Sequence, residues 1–353
     1  MRSQSFEFLR GMIEVPSPSG YEERVQDYIA AYVRPFADRV ERDVHGNLTA
    51  ILQPEGRPRV MLAGHCDEIG LVVKYLTDQG MFHFAAVGGI DVNILPARRV
   101  HVHTDQGPIA GVIGRKAVHL QDRDKPEKLT IEDLTIDIGV ATRKEAEKLV
   151  AVGDPITFVE GMTRLRGELV TSRATDDKVG AFVVMEAARL LKGRKFSAAV
   201  HAVSTVQEEI GLRGATTSAF NAQPEVGIAV DVAHASDQPG VEKKRVGEVK
   251  VGGGPVLHRG ANINPKLGRL LIEVARNKRL PFQLTAEPRA TGTDANVMQL
   301  SRGGVAAALI SIPNRYMHTP VEVVSLADLT NAARLLAEVI CALKPEMDFV
   351  PGS

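Results

Sequence analysis

Histidine and carboxylate side chains follow several short apolar runs of this sequence. Imidazole nitrogen and carboxylate oxygen are good ligands for borderline divalent cations such as zinc or cobalt, and carboxylates also move protons. One histidine and one aspartate for each of two metal ions, with a shared carboxylate, would leave coordination positions free for water, as catalytic sites require. The residues concerned are His65 and Asp67, Asp176 and Asp177, Glu208 and Glu209, Asp231, and His318.

The apolar runs before these residues are predicted to be buried strands. Each run is short and continuous, and helix-length segments separate the runs, a pattern typical of strands buried on both faces of an α/β sheet. Open α/β sheets bind ligands beyond the carboxyl ends of their strands, so the polar side chains would meet there. The four runs are 60–63, 198–206, 226–230 and 305–312.

Helical apolar spacing marks two segments, 22–34 and 178–192. Gly193 follows the second segment and is a common stop signal for a helix. Asp176 and Asp177 lie just before this helix, where the positive end of the helix dipole favours anionic groups.

The middle of the chain, about 72–163, has a different pattern. Strand-like pieces such as 99–103 and 108–113 are separated by glycine-containing turns. One clear helix signal occurs there, at 142–149, where Thr142 is predicted to be the N-cap and Glu145 to complete a capping box. This segment is therefore predicted to be a small β-rich domain inserted into the α/β domain.

Composition excludes several classes of protein. The 353 residues favour one large domain plus a smaller one, and 44% hydrophobic residues are ordinary for a soluble globular protein. Lysine plus arginine equals aspartate plus glutamate, at 43 each, and no basic stretch is long enough to follow a phosphate backbone, so no nucleic-acid partner is expected. The densest basic cluster, 243–245, is predicted to be a solvated turn or strand edge.

Location is inferred from cysteine usage and the N-terminus. The two cysteines, Cys66 and Cys341, are far apart in the sequence, which argues against a disulfide framework and fits a reducing compartment. Charged residues interrupt the first twenty positions, so no signal peptide is recognised, and no apolar run approaches the roughly 20 residues that span a bilayer. A cytoplasmic protein without a membrane partner is expected.

Each chemical cluster taken singly has a simpler structural explanation. A lone histidine after a strand is more often a hydrogen-bonded structural residue, and Glu208–Glu209 alone would be a charged strand end. Asp176–Asp177 alone would be a helix N-cap. All of them together are what one two-metal site requires, and this joint requirement favours the metal site.

Several segments together resemble the M42 family of metallo-aminopeptidases, which includes the tetrahedral (TET) and glutamyl aminopeptidases and some proteins named endoglucanases. The resemblance extends in order over nearly the whole chain, and five separate motifs would have to coincide by chance. The matching segments are Gly64-His65-Cys66-Asp67-Glu68-Ile69-Gly70, Asp176-Asp177-Lys178-Val179-Gly180, Val206-Gln207-Glu208-Glu209-Ile210-Gly211-Leu212-Arg213-Gly214, Val230-Asp231, and Tyr316-Met317-His318-Thr319-Pro320-Val321-Glu322.

The resemblance implies a role for each residue. Asp176 would bridge two divalent cations, zinc or cobalt, and a cis peptide would join it to Asp177. His65 and Asp231 would complete one metal site, and Glu209 and His318 the other. Glu208 would be the general base that takes a proton from the metal-activated water. Asp67 would orient the imidazole of His65, as metal-bound histidines usually require.

The family architecture is also implied by this resemblance. It has a mixed-sheet catalytic peptidase domain, here 1–71 and 164–353, split around a β-rich insert, here 72–163. The insert mediates dimerisation and helps to build a hollow tetrahedral dodecamer that admits short or unfolded peptides. The expected activity is removal of the first residue of short peptides.

Other motifs and other functions are weaker. His101-Val102-His103 with Asp105 imitates an amidohydrolase motif without downstream ligands, and Gly252–Gly254 and Gly111–Lys116 lack the spacing of nucleotide-binding loops and are predicted turns. Two alternative functions remain open: hydrolysis of another amide, such as an acylated amino acid or sugar, and a non-catalytic assembly role. The preferred first residue and the metal used in cells stay open as well.

Overall fold

A computed structural model describes residues 1–120 and 128–352 of the chain. Its helices are α1 (Ser3–Glu14), α2 (Glu23–Val33), α3 (Arg143–Ala146), α4 (Thr175–Leu191), α5 (Arg213–Ala222), α6 (Lys243–Val246), α7 (Pro265–Asn277), α8 (Asp294–Gln299) and α9 (Leu326–Ala342). Among these described residues, no helix has the length and apolar character needed to cross a membrane.

The strands of the described residues form two open sheets and a barrel. They are β1 (Arg39–Arg42), β2 (Leu48–Leu52), β3 (Arg59–His65), β4 (Gly70–Leu76), β5 (Phe82–Val87), β6 (Arg99–Thr104), β7 (Gly107–Gly114), β8 (Thr135–Asp137), β9 (Pro155–Phe158), β10 (Thr163–Arg164), β11 (Leu169–Ser172), β12 (Ala199–Thr205), β13 (Val226–His234), β14 (Val256–Gly260), β15 (Gln283–Glu287), β16 (Ala306–Asn314) and β17 (Glu322–Ser325).

The main sheet has the order β1-β2-β12-β3-β13-β16-β14-β15. Its centre, β12, β3, β13 and β16, is parallel, whereas β2 joins β12 and β14 joins β16 in antiparallel pairs. The central strands come from the four apolar runs and are buried at consecutive residues. Helices cover these strands: α4 packs on β3, β12 and β13, while α5 and α8 pack on each other and on the same part of the sheet.

A closed barrel forms in the middle of the chain, with the strand order β4-β5-β8-β7-β6-β9. The ring closes where β4 pairs with β9, with Leu71 opposite Ile156. Its interior is a separate hydrophobic core that includes Phe82, Val100 and Ile136, all fully buried. A second core lies around the main sheet and α4. The predicted fold class, an α/β mixed-sheet domain with a small β-rich insert, is confirmed. The predicted limits of the insert, 72 and 163, stay predictions.

Local predictions have mixed outcomes. The helices at 22–34 and 178–192 are confirmed as α2 and α4, and Thr142 caps α3 with a complete capping box. However, α3 ends after one turn, because the next amides, those of Lys148 and Leu149, bond to carbonyls three residues back. Gly111–Lys116 is not a turn, since Gly111 to Gly114 lie within β7. The basic cluster 243–245 is not a turn or strand edge but belongs to the short helix α6, although it is exposed as predicted.

Candidate functional site

The predicted chemical residues meet at the carboxyl edge of the parallel strands. His65 ends β3, and Asp231 lies late in β13. Glu208 and Glu209 follow the end of β12, and His318 lies in the loop after β16. Parallel strands present their carboxyl ends at one edge, so residues distant in sequence become neighbours there. The structure brings the whole predicted set together, with Asp176 at the start of α4.

Helix α4 packs closely on β3, and this packing places the first residues of α4 beside His65. A Cβ atom on Gly64 would lie 2.5 Å from the backbone of both Gly180 and Ala181, so only glycine permits this approach. Asp176 and Asp177 have non-helical backbone angles and are joined by a cis peptide, as the resemblance implies.

The two oxygens of Asp176 face two different histidines. Oδ1 lies 3.4 Å from Nε2 of His65, and Oδ2 lies 3.2 Å from Nε2 of His318. Glu208 Oε2 lies 3.7 Å from the same His65 nitrogen, and Glu209 Oε2 lies 3.6 Å from the same His318 nitrogen. Each histidine therefore has its own glutamate, and one aspartate lies between them.

Two groups of side chains in the described part of the chain have the spacing of metal ligands. One is His65, Asp177 and Asp231, and the other is His65, Asp176 and Glu209; within each group the ligand atoms lie within 4.8 Å of one another. Glu208 Oε1 and Glu209 Oε1 are buried without a hydrogen-bond partner among the described residues. Buried carboxylates without partners are costly unless a cation neutralises them, so the donor set fits divalent metal ions.

The electrostatics of the site show a surplus of negative charge. Burial, reinforced by neighbouring carboxylates, raises the pKa of Glu208 to about 10 and the pKa values of Glu209 and Asp231 to about 8. Burial would also raise the pKa of Asp176, but hydrogen bonds from His318 and His65 outweigh it and lower that pKa. These carboxylates would be difficult to ionise together without added positive charge, which again fits cations bound between them.

Comparison with known proteins decides the family. The family model described as M42 glutamyl aminopeptidase matches residues 46–335. This chain belongs to the M42 peptidase family. It is 39% identical to the lysyl aminopeptidase of Pyrococcus furiosus, over 98% of this chain and 99% of that protein. The predicted family membership is therefore confirmed.

Solved structures of TET peptidases are similar to this chain over the full fold. The TET aminopeptidase of the marine sediment archaeon Thaumarchaeota archaeon SCGC AB-539-E09 has a TM-score of 0.93 and 36% identity, covering 97% of each chain. The TET1 peptidase of Pyrococcus horikoshii, which can assemble into a tetrahedron or a large octahedral shell, has a TM-score of 0.86 and 33% identity, covering 96% of this chain and 100% of that one. As an M42 aminopeptidase, the protein is a metal-dependent hydrolase that acts as an exopeptidase.

Asp67 supports more of this M42 site than the sequence predicted. Nδ1 of His65 lies 3.1 Å from the backbone oxygen of Asp67 and 3.4 Å from its carboxylate. The carboxylate also accepts hydrogen bonds from the amides of Glu208, at 3.1 Å, and Glu209, at 3.2 Å. The hydroxyl of Ser19 donates to it at 2.6 Å. Asp67 therefore fixes the glutamate loop as well as the imidazole.

Glu322, the last residue of the segment Tyr316–Glu322, is a positioning residue of the M42 site that its place in the sequence did not reveal. Its carboxylate accepts hydrogen bonds from the amide of Asp176 at 3.0 Å and from the amide of His318 at 2.9 Å. Nδ1 of His318 also contacts the carbonyl oxygen of Gly89, at 2.7 Å. Glu322 thus couples the two chain segments that hold one half of the site, and the loop after β5 orients the histidine.

Behind the M42 site, Glu68 forms a buried ion network that the sequence did not reveal. Its carboxylate pairs with Arg173 and, at 2.8 Å, with Nζ of Lys178, and both Glu68 and Lys178 are at most 2% exposed. Lys178 also donates to the carbonyl oxygen of Val15. The network joins the N-terminal segment to the start of α4, next to Asp176.

We expect Glu68→Gln to lower the free energy of unfolding by about 3–5 kcal/mol, because it leaves two buried cations without their counterion. Urea unfolding followed by circular dichroism measures this loss. The matched control is Glu55→Gln at an exposed turn, which should change stability by less than about 0.5 kcal/mol. Equal stability of the two variants would contradict a stabilising role for this network.

Proposed function

We propose that this M42 peptidase binds two divalent cations and removes the first residue of short peptides. The observation that carries the proposal is the position of Asp176, whose two oxygens face His65 and His318 separately. In this proposal Asp176 is the shared ligand, His65 with Asp231 holds one ion, and Glu209 with His318 holds the other. Asp177 is a weaker candidate for the bridge, because its oxygens already accept hydrogen bonds from the amides of His65 and Gly180.

Two bound divalent cations would activate water and stabilise the negative charge that develops on the substrate carbonyl oxygen. The side chains of the protein supply the remaining steps. Glu208, which has one buried oxygen without a hydrogen-bond partner in the described part of the chain, accepts a proton from the attacking water and returns it to the leaving amine. Asp67 holds the amide of Glu208 and so keeps this base in position.

The surrounding cavity supports a preference for chain ends. It has a volume of about 900 Å³ and is lined at one end by Asp176, Glu208, Glu209 and Asp231. A free α-amino group can donate several hydrogen bonds to the carboxylates of this wall, whereas an acylated N-terminus loses those donors and adds bulk. This difference would restrict cleavage to the first peptide bond.

An assay with matched free and blocked substrates tests the function. We expect the protein loaded with zinc or cobalt to cleave aminoacyl-anilides and short peptides, and to leave their N-acetylated counterparts intact. Cleavage of N-acyl amino acids or acylated sugars instead would favour the amidase alternative. Failure to cleave any of these amides would overturn the proposed function.

Similar proteins are named for different first residues of their substrates. The family model is named for glutamyl residues and the Pyrococcus furiosus relative for lysyl residues. Zinc and cobalt both suit the imidazole and carboxylate donors of this site.

A cytoplasmic location is part of the proposal. Cys66 and Cys341 are both free, as is usual for proteins of a reducing compartment.

We further propose that the chain assembles into a dodecamer through the segment 72–163. The TET1 peptidase forms a tetrahedron, and tetrahedral symmetry relates twelve copies of one chain. The barrel exposes apolar side chains, among them Tyr75 at 51% and Val112 at 48%.

Light scattering should therefore report a large particle for the wild type. Val112→Glu should produce smaller species that keep their metal, because charge disfavours burial at an interface. Val350→Glu, at an exposed valine outside the segment, is the control. A fully active monomer of the wild type would disprove the assembly proposal while leaving the metal site intact.

A further inference from the structure

The cavity extends from the predicted metal ligands along a row of polar side chains that crosses the main sheet. Asp231 on β13 lies opposite Ser311 on β16, and β14 follows β16 in the sheet. His258 on β14 and Glu287 at the end of β15 complete the row, and all four residues line the cavity. Two strand spacings, on the order of 10 Å, separate β13 from β14, so the row leads away from the predicted metal ligands.

Hydrogen bonds connect the outer part of this row. Nε2 of His258 lies 2.8 Å from the hydroxyl of Ser311, and its Nδ1 lies 3.1 Å from Oε1 of Glu287. The hydroxyl of Thr285 lies 2.9 Å from the same Nδ1. Both ring nitrogens of the histidine are therefore engaged, and the imidazole holds the glutamate in a fixed position.

Ser311, His258 and Glu287 contact one another in the order of a serine-histidine-carboxylate catalytic triad. The surroundings of Ser311, however, do not suit nucleophilic catalysis. Ser311 is 1% exposed and lies within β16, where it is paired with Asp231 on one side and Val256 on the other. The backbone amides around it serve the sheet, so they form no oxyanion hole. The row is better suited to recognising a substrate side chain.

Glu287 supplies the charged group at the outer end of the row. Its side chain is 34% exposed, and its second oxygen, Oε2, has no partner among residues 1–120 and 128–352. The hydrogen bond with His258 outweighs burial and lowers the pKa of this carboxyl group, so it remains anionic. A carboxylate with one satisfied oxygen and one free oxygen is a receptor for a cationic group.

The basic residues at the rim of the cavity do not cancel this charge. Lys243 pairs with Glu248 at 2.9 Å and Lys244 pairs with Glu242 at 3.3 Å, and these lysines are 57% and 82% exposed. Arg245, the third basic residue that lines the cavity, is also exposed. Exposed charges are screened by water and salt, whereas a carboxylate inside a cavity is screened less. The inner wall of the cavity is therefore acidic, although its rim is basic.

We propose that Glu287, whose carboxylate contacts His258, selects substrates whose first residue has a long basic side chain, lysine or arginine. This inference rests on the proposed aminopeptidase function, since the first residue must have its carbonyl at the metal cluster for its side chain to follow the row. Acidic side chains would be repelled by Glu287. Aliphatic side chains would fit but would leave the carboxylate without a counterion.

The test compares lysyl-, leucyl- and glutamyl-anilides as substrates of the full-length, metal-loaded protein. The wild type should show the highest kcat/KM for the lysyl substrate. Glu287→Gln should lower the ratio of lysyl to leucyl kcat/KM by about 10- to 100-fold, the range for losing a hydrogen bond to a charged group. Glu287→Asp, which keeps the charge, should retain part of the ratio.

Glu168→Gln, at an exposed glutamate outside the cavity, should leave the ratio unchanged. An unaltered ratio in Glu287→Gln, with leucyl-anilide still cleaved, would overturn this inference alone. A wild-type preference for glutamyl-anilide would also overturn it and assign selection to the basic rim. Absence of cleavage of all three anilides would overturn the proposed function together with the inference.

Discussion

Glu208→Gln should lower kcat by a factor of about 10² to 10⁴ while the protein keeps its metal content. Glutamine has nearly the shape of glutamate but cannot accept a proton at pH 7, so the attacking water would lose its base. The proposal assigns metal binding to other side chains and proton transfer to Glu208, whose Oε1 is buried without a partner among the described residues. Metal analysis by mass spectrometry and single-turnover kinetics on an aminoacyl-anilide measure the two effects separately.

The neighbouring residue provides an informative comparison for this variant. Glu209→Gln should reduce metal content, because Glu209 Oε2 lies 3.6 Å from Nε2 of His318 in the second half of the site. A Glu208→Gln protein that has lost a cation would make Glu208 a ligand instead of a base. Wild-type turnover with full metal content would remove it from the mechanism altogether.

Asp176→Ala should have the second large effect, the loss of both cations and of all turnover. Its two oxygens face His65 and His318 at 3.4 and 3.2 Å, so one substitution removes a ligand from each proposed ion. The same change leaves the remaining carboxylates of the cluster without the charge that the cations would supply. Isothermal titration of the metal-free protein with zinc measures the remaining affinity and stoichiometry.

A surface aspartate serves as the control for this substitution. The side chain of Asp27 is 68% exposed and pairs with Arg42. Asp27→Ala should therefore leave zinc binding unchanged. Retention of two ions by Asp176→Ala would exclude the shared-ligand role. Loss of a single ion would reassign Asp176 to one half of the site and direct attention to Asp177, which has ligand spacing with His65 and Asp231.

The sequence by itself determined the strands of the parallel sheet and the residues at their ends. Continuous apolar runs predict strands buried on both faces, and β3, β12, β13 and β16 are such strands. The capping box at Thr142 was also predictable, since its two partners are three residues apart. Motif residues such as His65 and Asp231 could be named because their types and order resemble a known family.

The basic cluster 243–245 shows where local pattern was insufficient. Its charge predicted exposure correctly, but exposure does not determine backbone conformation, and the segment forms the helix α6 at the rim of the cavity. The one-turn length of α3 was equally unpredictable from its capping signals, because a cap marks where a helix begins and gives no information on where it ends.

Only the tertiary structure decided which side chains support the site. Glu322 accepts hydrogen bonds from the amides of both Asp176 and His318, and the first of these partners is 146 residues away in the sequence. His258 contacts Glu287, 29 residues further on, and Ser311, 53 residues further on. No periodicity links such positions. Their contacts exist because the order of the strands in the sheet makes β16, β14 and β15 neighbours, and that order depends on the packing of the whole chain.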